Sequence, residues 1–117
     1  MAFAFENLKV YQRALDFSVT IIEVIDEIDT SRKHYRLIEQ LESSCTSVAL
    51  NISEGKGRYS KKEFKQFLYI ARGSLYETVT ILQIFRKMNW PSETSYDKLY
   101  SESQEINKML SGLINSL

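Results

Sequence analysis

Proline occurs once in this chain of 117 residues, at Pro91. Because proline breaks helices, its rarity leaves room for long uninterrupted ones. Cysteine also occurs once, and Cys45 therefore excludes an internal disulfide and suits a reducing compartment. Net charge is absent, since fifteen basic residues balance fifteen acidic ones. Any electrostatic function must come from how those charges are distributed. No stretch approaches the roughly 18 uninterrupted apolar residues of a membrane span. The start, MAFAFENLKVYQ, lacks the cationic opening and apolar run of a signal peptide. A cytoplasmic protein with no membrane partner is expected.

Catalytic chemistry is short of material too. The one histidine, His34, stands at a helix start, and Cys45 lies on an apolar seam with no histidine nearby in sequence to activate it. A zinc or di-iron set of the E-x-x-H kind is missing. The R-x(4–6)-H motif of small helical ribonucleases of the HEPN type needs a late histidine, and none follows position 34. No enzymatic activity, metal or cofactor is expected.

What is present is an ordinary globular composition, 44% hydrophobic and 26% charged, which argues against disorder. Its length fits one domain over 1–117. Apolar residues recur three and four apart in four segments. The first, 7–29, carries Val10, Ala14, Phe17, Ile21, Val24 and Ile28, with Leu8, Tyr11, Leu15, Ile22 and Ile25 beside them. Together they cover an arc of roughly 220°, about twice what a monomer's surface helix needs. The second, 31–52, has Ile38, Leu41, Cys45, Val48 and Ile52, with small residues from Ser43 to Ser47. Small side chains predict close approach by other helices. The third opens at Ser60 and runs through Phe64, Leu68, Ala71, Leu75, Leu82 and Phe85 to Asn89–Pro91; the fourth runs from Ser92 to the end. Short connections make neighbours antiparallel, so the expected fold is all-α, an up-down-up-down four-helix bundle.

The stretch NISEGKGRYSKKEF, residues 51–64, holds two of the four glycines. It reads as the turn between the second and third segments, over 53–59. Asn51 and Glu54 are expected to bind turn amides or pair with Arg58. Gly55 or Gly57 is expected to take the left-handed conformation that ends a helix. Ser60 and Glu63 form a capping box. A Walker-type phosphate loop is not supported, because G-x-x-x-x-G-K-[ST] is absent and no strand precedes it. The turn does not explain its cations: Lys56, Arg58, Lys61, Lys62 and Lys65 face only Glu63 across residues 56–65. An antiparallel bundle adds Lys9 and Arg13 to that pole. It sets Arg32, Lys33 and Arg36 at the other pole against Glu23, Asp26, Glu27 and Asp29.

Three stretches are similar to a known family: FENLKVYQRAL at 5–15, QLESSCTSVALNISEGKGRYSKKEFKQFL at 40–68 and IARGSLYE at 70–77. They resemble the four-helix-bundle family of the 23S rRNA intervening-sequence protein, a ribosomal-protein-like group. They are also similar to the accessory variability protein of diversity-generating retroelements. The resemblance implies a homo-oligomeric ring, commonly a pentamer, and binding of RNA or DNA through basic surface. The implied carriers are Lys56, Arg58, Lys61, Lys62 and Lys65, with Lys9 and Arg13. A protein-only scaffold that recruits a protein partner is the alternative. Glu77 is expected to form an ion pair within an apolar seam, and Gly73 to mark a close helix approach. The seven tyrosines could stack on bases, but their helical spacing favours core or interface packing for most of them.

Overall fold

Apolar spacing becomes helix in all four segments. The protein is seen here as a computed structural model that describes residues 3–28 and 34–117. After a single 3-10 turn at Ala4–Asn7 come α1 (Lys9–Glu27), α2 (Tyr35–Lys56), α3 (Lys61–Lys87) and α4 (Glu93–Ser116). Helix α1 packs on α2 and α4, and α3 packs on the same two, so α1 and α3 lie diagonally across the bundle. That is the antiparallel up-down-up-down arrangement which short connections dictate.

The core is one apolar cluster fed by every helix. Phe17 and Ile21 of α1, Val48 and Ile52 of α2, Leu68 and Phe85 of α3, and Ile106 and Leu110 of α4 are all buried. Full burial of such a side chain contributes about 1.5–3 kcal/mol, so this seam holds the four helices together. The run of small residues on α2 sits where α1 and α3 approach. Ser18 Oγ donates to Cys45 O at 3.0 Å, Ser47 and Ser74 hydroxyls lie 2.9 Å apart, and Thr78 Oγ1 donates to Ser44 Oγ at 2.9 Å. Buried hydroxyls are thus satisfied across the α1–α2 and α2–α3 contacts, as buried polar groups must be.

Helix ends are set by side chains and backbone together. Ser60 caps α3 by accepting the Glu63 N–H at 3.1 Å, while the Glu63 carboxylate meets the Ser60 hydroxyl at 3.3 Å. Ser92 caps α4 by accepting from Ser95 N–H. The C-terminus of α3 is closed by Asn89 at φ 60°, with Trp90 N–H donating to Phe85 O at 3.1 Å. The Trp90 ring then packs 4.6 Å from that of Phe85. This is a left-handed closure of the Schellman kind.

The expected left-handed glycine is therefore misplaced in the sequence reading. Gly57 is right-handed, at φ −79° and ψ −4°, and Gly55 lies inside α2, which runs three residues beyond Ser53 to Lys56. A Cβ on Gly55 would stand 2.5 Å from Phe67 Cβ. This glycine is needed for close packing of α2 against α3, and its backbone conformation is one that other residues adopt. Gly73, by contrast, would meet nothing within 4 Å, so it marks no close approach in the protomer. Glu77 is exposed and accepts from Gln40 Nε2 at 3.4 Å, so among the described residues no other helix of the protomer supplies it a cation. Asn51 donates back along α2 to Ser47 O at 2.8 Å instead of capping the turn. Asp29, Arg32 and Lys33 lie outside the described residues.

Candidate nucleic-acid interface

The connection from α2 to α3 is only four residues, 57–60, and it projects basic side chains from both helix ends. Lys56 closes α2, where the helix dipole favours a cation. Its Nζ lies 5.6 Å from the Phe64 ring. Arg58 stacks with Cζ 4.6 Å from the Phe67 ring and reaches Glu54 Oε1 at 3.8 Å, the expected pairing. Lys61 and Lys62 are exposed in the first turn of α3, where the dipole opposes them, so they contribute nothing to helix stability. Lys65 is half-buried one turn on, and Lys9 is exposed at the first residue of α1.

Arg13 does not belong with them. Its Nε and Nη2 clamp Glu102 of α4 at 2.7 and 3.0 Å, a bidentate pair. Hydrogen bonding to Glu102, and then its charge, hold the Arg13 proton more firmly than usual. A cation spent on a carboxylate offers little to phosphate, so Arg13 is a link between α1 and α4. Lys56, Lys61, Lys62, Lys65 and Lys9 form no ion pair among the described residues.

The tyrosines divide between the core and the surface of the protomer. Only Tyr96 is buried and Tyr11 is half-buried, whereas Tyr35, Tyr59, Tyr69, Tyr76 and Tyr100 are exposed. Periodicity flagged them as helical without saying which face they occupy. A second exposed apolar surface lies across α1 and α2, formed by Leu15, Val19, Ile22 and Leu50. Leu15 and Leu50 line a hollow of about 250 Å3 with Tyr11 and Ala49. Val10 and Phe17 point the other way and belong to the protomer core.

The model of one family, the 23S rRNA-intervening sequence protein, matches residues 6–112. The chain belongs to that family. No curated protein matches it in sequence. It is similar to the 1.70 Å crystal structure of a protein of unknown function from the S23 ribosomal protein family of Bacteroides thetaiotaomicron VPI-5482. The two share 28% identity over 90% of this chain and 97% of that one, with a TM-score of 0.83. Among the described residues no helix of this family member is long and apolar enough to cross a membrane. Nor do three His, Cys, Asp or Glu side chains gather to hold a metal ion. Burial pushes the Cys45 thiol up to about 11, so it is no nucleophile at neutral pH.

Proposed function

We propose that this protein is a non-enzymatic homo-oligomer that binds RNA or DNA through its phosphate backbone. The observation that carries this reading is the group of cations Lys56, Lys61, Lys62 and Lys65, which form no ion pair among the described residues, around one helix connection in a chain of zero net charge. Such cations act by releasing counterions from the strand, so they give affinity with little sequence preference. One protomer offers few charges, and a ring would repeat them on one face so that several weak contacts act together. The family resemblance implies a pentamer. The exposed apolar surface of α1 and α2 supports an assembly, since unpartnered patches of this kind mark interaction sites. The ribosomal name carried by the similar structure's family supports an RNA partner.

Two measurements test the reading. Binding of a single-stranded oligonucleotide, followed by fluorescence anisotropy across salt concentrations, should weaken steeply with salt. Replacing Lys61, Lys62 and Lys65 with Ala should keep the helix, since Ala is an excellent helix former. It should also reduce the log–log salt slope by about 2, three lost phosphate contacts at about 0.7 each on a single strand. Light scattering should give an oligomeric mass that Val19→Asp or Leu50→Asp lowers without loss of helicity. A monomeric wild type would refute the assembly. If wild type at low salt binds neither RNA nor DNA, the nucleic-acid reading is wrong, and the apolar α1–α2 surface favours a scaffold for a protein partner.

A further inference from the structure

Helix α3 carries more than its N-terminal lysines. Lys62, Lys65, Tyr69, Arg72, Tyr76, Gln83 and Lys87 recur at steps of three, four or, from Tyr76 to Gln83, seven residues, which places them on one face. At 1.5 Å per residue the stripe from Lys65 to Lys87 is about 33 Å long. It borders the groove between α3 and α4. Within it, Arg72 Cζ lies 5.1 Å from the Tyr69 ring, its Nη1 donates to the uncharged Ser111 hydroxyl of α4, and it forms no ion pair among the described residues. Further along, Tyr76 and Tyr100 flank a hollow of about 290 Å3. Tyr100 stacks on Tyr96 at 5.9 Å and 20°, and Arg86 Cζ covers Tyr96 at 4.7 Å. Arg86 and Lys87 then line a second hollow of about 360 Å3 with Gln83 and Tyr96.

No aspartate or glutamate lines either hollow, although acids are as numerous as bases in this chain. The α1–α4 hollow, by contrast, sets Asp16 and Glu102 against Arg13 and Lys98.

We infer that the α3–α4 groove is a track for single-stranded nucleic acid that holds the bases as well as the phosphates. This rests on the nucleic-acid reading above and extends it to a second surface. Cations interleaved with aromatic rings are what a single strand requires: charge to follow its backbone, and ring faces on which unpaired bases stack. Tyr76 and Tyr100 stack on bases, and Arg72, Arg86 and Lys87 follow the phosphates. A duplex hides those base faces, so the groove prefers single strands.

The test uses the full chain and three probes of equal length, about 12 nucleotides: a single strand (ribose and deoxyribose versions), the matching duplex, and a fully abasic strand that keeps every phosphate. At low salt the single strands should bind more tightly than the duplex and the abasic strand. Tyr76→Ala and Tyr100→Ala should each weaken single-strand binding by on the order of tenfold and leave abasic binding unchanged. Tyr76→Phe and Tyr100→Phe, which keep the ring, should bind as wild type does. Tyr76 is about half exposed, so thermal melts of Tyr76→Ala should match wild type, and Tyr100→Phe, which keeps the ring on Tyr96, separates loss of binding from any loss of stability at Tyr100. If the abasic strand or the duplex binds as tightly as the single strand, or if the alanine variants bind like wild type, the groove is not the track. Loss of affinity in the lysine triple variant would then leave the phosphate-binding pole standing alone. If wild type binds no probe, both readings fall.

Discussion

Gly55→Ala should destabilise this protein, while the same substitution at Gly73 should stabilise it. Both glycines lie inside helices, where alanine gains up to about 1 kcal/mol over glycine. Their surroundings decide the sign. At Gly55 the new Cβ would lie 2.5 Å from Phe67 Cβ and 3.1 Å from Phe64 Cδ1. Carbon atoms rest at about 3.5–4.0 Å, so more than an ångström must be found. Phe67 Cβ is fixed to the α3 backbone and no rotamer change can move it away. The two helices must part where Gly55 meets Phe67, beside the buried Phe64. Forced overpacking of this kind costs about 1–3 kcal/mol. Net of the helix gain, Gly55→Ala should lose about 1–2 kcal/mol, a fall of several degrees in Tm for about this size of domain. At Gly73 nothing lies within 4 Å, so the helix gain of about 0.5–1 kcal/mol stands alone. Urea unfolding followed at 222 nm, at one protein concentration because assembly would couple to stability, should move the two midpoints in opposite directions with an unchanged slope. A Gly55→Ala midpoint at or above wild type would show that α2 and α3 are not in the close contact described.

Two further outcomes follow from the site chemistry. Arg13→Ala or Glu102→Ala should cost about 1 kcal/mol or less, because both side chains are about a third exposed and water screens the pair. Arg13→Ala should also leave the salt slope of oligonucleotide binding unchanged; a reduced slope would return Arg13 to the interface. Cys45 should resist thiol reagents at pH 8 until urea unfolds the chain. Its pKa is raised from 9.0 to about 11 by burial, so the neutral thiol contributes stability that is complete below about pH 9 and lost as pH rises towards 11. Cys45→Ser should flatten that part of the stability profile and leave oligonucleotide binding intact; native labelling at pH 8 would show the thiol to be accessible.

Much of the candidate site was legible because it depends on local chemistry. The lysines at 56, 61, 62 and 65 are consecutive enough that any fold with a turn there gathers them. Arg13 was not legible, because its partner Glu102 lies 89 residues away and only the packing of α4 on α1 brings them together. The tyrosines show the same limit. Spacing placed Tyr69 and Tyr76 on one face of α3, but whether that face meets a neighbour or solvent depends on how the other helices surround it.

Sequence by itself determined the helices, their number and their antiparallel order. Period and chain length leave few choices once proline is nearly absent and the connections are short. Tertiary structure decided what each feature is for. It turned Gly55 from a turn residue into a packing residue, since close approach is a relation between helices that no single segment encodes. It moved the left-handed residue to Asn89, where α3 had to close under Trp90. It also split the over-wide apolar arc of α1: Val10 and Phe17 went to the core, and Leu15 and Ile22 to the surface. Periodicity measures the width of an apolar face, and only the positions of neighbouring helices determine which part of that face is covered.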